Sequence, residues 1–355
     1  MKGIRRLAKE LDISIGTVSR ALNGHRYVKD ATRKRVLEAA KELGYVPNQS
    51  GRALRKGTTG VVGFMIETGV KTAIDGETFF LAVFDGVQAV LARRQLDLVA
   101  LLCSSEEDPY EYLRRMVGRG FVDGLIISAT QRYDPRIDLL ADQHIPFITL
   151  GRSLTDRDHA WYDLDFEALA SVSVHRLVKK GHRRIALAVQ TDQINFSYVL
   201  LASYQAALEA HGIAFDPTLV LSVLPGQADG HAVVREILEM RDRPTAIILG
   251  HEAMSVGFYR GLAEAGVRPG RDIAIIGRAS PHMQLLSPSL TSFATSLRDL
   301  GAALAEALLL TMPDAPKSPN GPVRELWPFE LHEGESDALT LKQMQKQMGA
   351  LRLTR

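Results

Sequence analysis

Two short stretches near the N-terminus carry apolar residues at helical spacing, and only two residues separate them. The apolar positions are Ile4, Leu7, Ala8 and Leu11 in the first stretch and Val18, Ala21 and Leu22 in the second. This spacing predicts amphipathic helices, and Ser14 is a residue type that caps the start of a helix. A third helix is predicted over residues 31–43 and ends at Gly44. The tight first turn is typical of a helix-turn-helix, although a small helical hairpin has the same spacing.

From residue 60 the pattern changes to short apolar runs that alternate with amphipathic stretches. The predicted strands are residues 61–66, 98–103, 122–128, 146–151, 161–164, 185–189, 219–223, 246–249, 273–276, 290–295 and 325–333. Alternation of this kind predicts right-handed βαβ units in an α/β fold with doubly wound parallel sheets. Because the pattern occurs twice, we expect two lobes. The first would contain residues 60–160 and 290–322, and the second residues 161–289 and 323–336.

The C-terminal residues 337–355 contain a short apolar stripe. Its members, in a 3-4-3 spacing, are Leu341, Met344, Met348 and Leu351. That spacing is the a/d pattern of a coiled coil, which would join chains into a tetramer. The stripe covers barely two heptads and includes Gly349, so the alternative is a frayed tail.

The charge of the chain is unevenly distributed. Residues 1–59 carry 14 Lys and Arg against 5 Asp and Glu, a net charge of +9, whereas the remainder has a net charge of −7. A basic head on an acidic body predicts that a polyanion binds at the N-terminus only. No signal peptide and no bilayer-spanning stretch are recognisable, and the single cysteine, Cys103, excludes an internal disulfide framework. We therefore expect a cytoplasmic protein.

Three blocks within the first 48 residues carry a specific resemblance. Residues 17–23 (TVSRALN), 32–36 (TRKRV) and 43–48 (LGYVPN) resemble, in order and spacing, the headpiece of the LacI/GalR family of bacterial transcription regulators. The resemblance implies a helix-turn-helix domain over residues 1–48, a hinge helix within residues 49–59 that forms in the minor groove, and a two-lobed core over residues 60–336. The core would have the type I periplasmic-binding-protein fold.

The same resemblance implies which residues contact DNA. Ile15, Gly16 and Arg20 would read bases, and Leu54 would insert between base pairs as an apolar wedge. The predicted DNA-binding residues are Ser14, Ile15, Gly16, Thr17, Ser19, Arg20, Asn23, Arg33, Asn48, Arg52, Leu54 and Arg55. Two departures from the family pattern concern local structure. Asp12 stands at the usual turn glycine, which Asp tolerates because it can adopt the left-handed region, and Asp30 is expected to cap the third helix in place of a serine.

Ligands of open α/β sheets bind outside the carboxyl ends of the strands, which places a site between the two lobes. The predicted effector-binding residues at these ends are Phe79, Arg152, Asp163, Asn195, Phe196, Glu252 and Arg278; Glu67 and Thr68 also reach the cleft. A polar set with a few aromatics suits a sugar or a sugar acid. Each residue has the alternative of being a loop residue without a ligand. Leu200, His251 and Glu252 depart from the family's usual ligand-binding residues, so the identity of the effector does not follow.

The sequence contains no complete motif of four enzyme classes, namely zinc proteases, serine hydrolases, nucleotide hydrolases and dinucleotide-dependent enzymes. Residues 251–255 (HEAMS) begin like a zinc-protease helix but lack the second histidine, and no nucleophile elbow, Walker loop or dinucleotide fingerprint is present. We therefore predict no catalytic residue, metal site or cofactor. The rival hypothesis is a DNA-binding regulator with a vestigial cleft, a non-sugar effector or a corepressor.

The sequence thus predicts a ligand-responsive transcriptional repressor. One recognition helix reads too few bases for specificity, so the expected form is a homodimer on a near-palindromic operator. The effector is expected to act as an inducer, clamped between Arg152 of the first lobe and Glu252 of the second. No membrane partner is expected.

Overall fold

A computed structural model describes residues 3–22, 27–45, 58–68, 76–190, 193–223, 227–279, 283, 285–316, 319 and 321–352. The chain divides into two compact units, Met1–Thr59 and Gly60–Arg355. Each unit has its own hydrophobic core, and the larger unit contains both lobes.

The smaller unit consists of α1 (Ile4–Glu10), α2 (Ile15–Leu22) and α3 (Asp30–Glu42). Leu7, Val18 and Val36, one from each helix, are fully buried at its centre. The chain reverses between α1 and α2 because Asp12 adopts a left-handed conformation with φ of 51°. The Ile13 amide then donates to the Ala8 carbonyl at 3.1 Å, which closes the turn.

Two of the three helix ends predicted from the sequence are found in the structure. Ser14 Oγ accepts the Thr17 amide at 3.0 Å, which caps α2 as expected, and Gly44 takes the left-handed conformation after α3. The expectation that Asp30 caps α3 is wrong. Asp30 is the first residue of the helix and pairs with Arg33 at 3.5 Å, while Lys29 precedes it without a side-chain cap.

The larger unit alternates strands and helices along the described chain. In order these are β1 (Val61–Glu67), α4 (Gly76–Arg93), β2 (Asp97–Cys103), α5 (Pro109–Gly118), β3 (Gly124–Ile127), α6 (Pro135–Asp142), β4 (Phe147–Leu150), β5 (Ala160–Leu164), α7 (Phe166–Lys179), β6 (Ile185–Gln190), α8 (Asn195–Ala210), β7 (Val220–Val223), α9 (Gln227–Glu239), β8 (Ala246–Leu249), α10 (Met254–Glu264), β9 (Ala274–Arg278), β10 (Thr291–Ala294), α11 (Leu297–Thr311), β11 (Arg324–Trp327), β12 (Glu330–His332) and α12 (Leu341–Arg352).

The strands form two sheets. Among the described residues the first sheet has the order β11-β5-β4-β3-β1-β2, with every neighbouring pair parallel. The second has the order β12-β10-β9-β8-β6-β7 and is parallel except at β12. Helices cover both faces of each sheet: in β1, Phe64 and the next residue, Met65, belong to separate cores. This is the predicted doubly wound α/β architecture.

Three strand assignments differ from the expected lobe boundaries. Residues 161–164, expected in the second lobe, form β5 of the first sheet, and residues 291–294, expected in the first lobe, form β10 of the second. Residues 324–327 form β11 of the first sheet rather than of the second. An apolar run predicts a strand but carries no information about which sheet edge accepts it. The chain therefore crosses between lobes just after β5, β10 and β11.

The three crossing segments contact one another. The Asp165 amide donates to the Trp327 carbonyl at 3.0 Å, and Thr295 Oγ1 donates to the Pro328 carbonyl at 2.9 Å. The Phe329 ring lies 5.7 Å from the Phe166 ring, centroid to centroid. The lobes are thus joined by a bundle of three short segments, which leaves their outer edges free to form a cleft.

The C-terminal segment packs on the second lobe. Asp337 is fully buried and pairs with Arg176 at 2.5 Å and Lys180 at 3.0 Å. The Leu341 amide donates to the Lys180 carbonyl at 2.9 Å, and Met344 is 1% exposed. The structure therefore differs from the frayed-tail expectation. It also uses Met344, a predicted coiled-coil position, inside its own chain.

Candidate functional site

In the smaller unit, the outward face of α2 presents the residues expected to read DNA. Ile15 is 46% exposed, and Gly16 and Arg20 are exposed beside it. Arg20 Nε donates to the Gly16 carbonyl at 3.1 Å, which lays the arginine along the helix surface. Ser14 Oγ is 2.9 Å from Thr17 Oγ1. Because apolar packing uses the opposite face, this one is free to meet a groove.

The remaining predicted contacts are distributed differently. Ser19 on α2 and Arg33 on α3 are half-buried. Asn23, Asn48, Arg52, Leu54 and Arg55, together with the predicted hinge helix of residues 49–56, lie outside the described residues. Their assignment stays a prediction.

In the larger unit, the first-lobe strand ends carry an arginine that sequence reasoning missed. Arg136, at the start of α6, is 1% exposed. Its guanidinium donates to both carboxylate oxygens of Asp134, at 3.0 and 2.7 Å, and to Glu67 at 2.8 Å. It also donates to the backbone carbonyls of Ser128 and Ala129. Such a residue organises the loop after β3, and the only hint in the sequence is Asp-Pro-Arg at a helix start.

Arg152 lies between the lobes just after β4. Its Nε is 3.0 Å from Asp163 Oδ2 in β5, and its terminal nitrogen contacts Glu167 in the first turn of α7. Its backbone carbonyl accepts the side-chain amide of Asn195, at the start of α8, at 2.9 Å. Because α7 and α8 belong to the second lobe, Arg152 connects the two lobes through both its side chain and its backbone.

The second-lobe strand ends hold a second buried ion pair. Arg278, the last residue of β9, lies 2.9 Å from Glu252, which follows β8, and both side chains are about nine-tenths buried. The guanidinium also lies over the rings of Phe166 and Phe329, at 5.5 and 5.7 Å from their centroids. Glu252 therefore pairs with an arginine of its own lobe. That Glu252 and Arg152 hold one effector between the lobes stays a prediction.

The two predicted aromatic contacts have ring partners within the protein. Phe196 stacks on Phe166 at 5.0 Å, and Phe79 packs edge-on against Phe80 at 5.3 Å. Both are half-buried against the main core. Leu200, one of the departures from the family pattern, is fully buried.

A backbone bridge closes one end of the cleft. The Asn195 amide donates to the Thr130 carbonyl and the Arg132 amide to the Gln193 carbonyl, both at 2.9 Å. These bonds flank an antiparallel pairing of Gln131 with Ile194. The Arg132 guanidinium stacks over the Tyr198 ring at 4.6 Å, which adds a side-chain contact between the lobes.

The pKa values of two buried carboxyl groups at the cleft shift in opposite directions. Burial raises the pKa of the Asp163 carboxyl to about 7; the negative charge of Glu167 acts in the same direction, and the positive charge of Arg152 opposes it. Burial also opposes ionisation of Glu252, but the charges of Arg278 and His251 outweigh it and lower the pKa of that carboxyl. Asp163 therefore titrates near neutral pH while Glu252 stays ionised.

Metal-binding clusters and membrane-spanning helices are both absent from the described residues. No group of three or more His, Cys, Asp or Glu side chains in this part of the chain could hold a metal ion. Across the same residues, no helix has the length and apolar character needed to cross a membrane. Cys103 is buried, and burial raises the pKa of its thiol to about 11.

Two family models match the chain. Residues 4–48 match the model of bacterial regulatory proteins of the lacI family, and residues 174–336 match a periplasmic binding protein-like domain. The HTH-type transcriptional regulator AglR of Rhizobium meliloti (strain 1021) is 31% identical over 337 residues, which cover 92% of each chain.

Solved structures give the same result. The transcriptional regulator CelR, solved as a cellobiose complex, matches with a TM-score of 0.70 and 27% identity over 95% of this chain and 100% of that chain. The lac repressor dimer bound to operator and the anti-inducer ONPF matches with a TM-score of 0.81 and 22% identity, over 93% and 97% of the two chains. At that identity the second match shows the fold alone.

The raised pKa of Asp163 predicts a pH dependence of stability. The folded carboxyl holds its proton up to about pH 7, whereas the unfolded one releases it near its ordinary value, so this contribution to stability is complete below about pH 4 and is lost as pH rises through about 7. Relative to Asp163→Asn, wild-type protein should lose roughly 1–4 kcal/mol of unfolding free energy across that window. Urea unfolding at several pH values measures the difference. Asp314→Asn, at an exposed position, is the control, and a pH-independent difference between wild type and Asp163→Asn would contradict the assignment.

Proposed function

The chain belongs to the LacI family of bacterial regulatory proteins, and from this premise we propose that it represses transcription by binding an operator as a homodimer under the control of a sugar-like effector. The observation that carries the proposal is the face of α2. There Ile15, Gly16 and Arg20 are exposed together on a helix whose other side is packed. A helix presented in this way fits the major groove.

The chemistry of that face suits base recognition. Arg20 can donate two hydrogen bonds to the major-groove edge of guanine, and the apolar Ile15 side chain can contact the methyl group of thymine. Gly16 leaves room for the backbone to approach the base pairs closely. The net charge of +9 over residues 1–59 supplies the phosphate contacts that position such a helix.

The first sheet offers a surface for the second copy of the chain. β2 is an edge strand of the described sheet, and Val99 and Leu102 are 38% and 56% exposed along it. An exposed apolar edge strand is prone to uncontrolled pairing unless it is covered. A second copy covering this edge would bury the strand and bring two recognition helices to one operator.

The polar atoms of the cleft favour a bound effector over a vestigial cleft. Within the described residues, Arg278 Nε, Glu167 Oε2 and Ser197 Oγ are buried without a hydrogen-bond partner. A cleft that had lost its ligand would be expected to replace such groups by apolar side chains, because buried polar atoms without partners are costly. The cellobiose complex of the related regulator CelR agrees with a hydroxyl-bearing effector.

The effector would act through the contacts that join the lobes. A ligand shifts the equilibrium between two lobe arrangements only as far as it binds them unequally. A ligand that hydrogen-bonds Arg152 competes with Glu167 and disturbs the neighbouring Asn195 contact. We expect this change of lobe arrangement to alter the affinity for DNA.

The regulator is proposed to have no enzymatic activity. The relatives that match it are transcriptional regulators, and the carboxylates of its described cleft are held by arginines rather than left as acid and base. A repressor that reads chromosomal operators would act in the bacterial cytoplasm.

The recognition helix can be tested with Arg20→Ala. Loss of a bidentate base contact should weaken binding to an operator selected by the intact protein by about 1–3 kcal/mol. Fluorescence anisotropy with labelled duplex measures the change, and Arg260→Ala, at an exposed arginine of the larger unit, is the matched control. Unchanged affinity in Arg20→Ala together with weaker binding in Arg33→Ala would show that the recognition helix is wrongly assigned.

The dimer can be tested with Leu102→Asp. A charge on this apolar edge should shift sedimentation of the intact chain from dimer towards monomer, because each buried aspartate would lose its hydration. Leu310→Asp is the control, since Leu310 is 47% exposed on α11. Equal dimer stability in the two variants would exclude the β2 edge as the interface.

The effector contact can be tested with Arg152→Ala. The variant should still bind operator, since Arg152 lies outside the headpiece, but effector should no longer change its operator affinity. Arg157→Ala is the matched control, because Arg157 also forms two ion pairs in the first lobe but on its exposed surface. A wild-type effector response in Arg152→Ala would place the ligand contact elsewhere in the cleft.

A further inference from the structure

The charged groups at the cleft are not balanced. The described strand ends of the two lobes carry three buried or half-buried arginines and five carboxylates. The arginines are Arg136, Arg152 and Arg278, and the carboxylates are Glu67, Asp134, Asp163, Glu167 and Glu252. Every one of these arginines has at least one carboxylate within 3.0 Å. The cleft therefore presents cations that are already neutralised.

Arg278 is the clearest case. Glu252 occupies its terminal nitrogen at 2.9 Å, and the rings of Phe166 and Phe329 lie over the guanidinium. Glu252 is ionised, because the positive charge of Arg278 lowers the pKa of its carboxyl despite burial. His251 also lies against Glu252, with Nδ1 3.8 Å from Oε2.

Arg152 is neutralised from two sides. Asp163 lies 3.0 Å from its Nε, and Glu167 contacts its terminal nitrogen. Among the described residues Arg132 also lies near the mouth of the cleft, but it is exposed, and its guanidinium stacks on Tyr198. A charge in that position is screened by solvent and gives little selectivity.

We infer that Glu252 and Glu167 are specificity-determining residues that exclude anionic effectors from the cleft by neutralising Arg278 and Arg152. An effector carboxylate or phosphate would have to displace Glu252 and leave it buried without its partner, or approach Arg152 beside the negative charge of Glu167, and both are unfavourable. A neutral hydroxyl group can instead accept a hydrogen bond from Arg152 and donate one to Glu167, whose Oε2 has no hydrogen-bond partner, so that neither charge is left unpaired. This inference rests on the proposed effector cleft and narrows its ligand from a sugar or sugar acid to a neutral sugar.

The selectivity should reverse when the neutralising carboxylate is removed. Glu252→Gln keeps the size of the side chain but leaves Arg278 with its positive charge uncompensated. We expect thermal unfolding of this intact variant to acquire a saturable stabilisation by inorganic phosphate at constant ionic strength. Its apparent Kd should be at least about tenfold lower than in wild type, since charge-assisted hydrogen bonds are strong in a buried site. Glu167→Gln should have a smaller effect of the same sign through Arg152, because Asp163 still lies 3.0 Å from that guanidinium.

The control for both variants is Glu264→Gln. Glu264 also pairs with an arginine, Arg260 at 2.9 Å, but on the exposed surface of the second lobe. Its phosphate response should equal that of wild type. The inference is overturned if wild type binds phosphate as tightly as the two variants, or if neither variant gains phosphate binding over Glu264→Gln.

A comparison of two sugars distinguishes a failure of this inference from a failure of the proposed function. Cellobiose and its carboxylate derivative cellobionate are compared on the wild-type protein. Stabilisation by cellobiose alone supports both proposals, whereas tighter binding of cellobionate overturns charge exclusion and keeps a sugar effector. If neither sugar binds while the glutamine variants still gain phosphate binding, the sugar effector loses support and charge exclusion stands.

Discussion

The guanidinium of Arg152 reaches from the end of a first-lobe strand to Glu167 at the start of the first helix of the second lobe. Beneath it lies Asp163, whose carboxyl titrates near neutral pH because it is buried. A partly buried ion pair contributes little net stability, since desolvation offsets most of its attraction. Its importance is geometric: the side chain satisfies its partners only when the lobes lie in this arrangement.

The rest of the larger unit makes that contact possible. Three short crossing segments, which contact one another at Asp165, Thr295 and Phe329, join the lobes. Each lobe is rigid, because its sheet is covered by helices on both faces. The carboxyl ends of both sheets face each other, since residues after β3 and β4 hydrogen-bond to residues after β6. A ligand between the sheets can act on the whole unit through a few hydrogen bonds.

Much of this architecture is predictable from the sequence, and the limits have physical reasons. The apolar periodicity predicts the three headpiece helices and the alternating core, and the Ser14 cap follows from residue type. Periodicity does not say which sheet a strand joins, so β5, β10 and β11 were each expected in the wrong lobe. Likewise, strand-end positions predict that Arg152, Glu252 and Arg278 lie at the cleft, but ion pairing depends on side-chain directions. The Arg278–Glu252 pair and the buried Arg136 could not be inferred for that reason.

Coupling of the two lobes by Arg152 is tested most directly by electron–electron double resonance. The spin labels are placed on cysteines introduced at Arg114 in the first lobe and Arg260 in the second, which are 59% and 78% exposed. Cys103 does not interfere, because it is fully buried. We expect one narrow distance distribution in the labelled protein and a broader one when Arg152→Ala is added. Identical distributions in the two proteins would contradict this coupling.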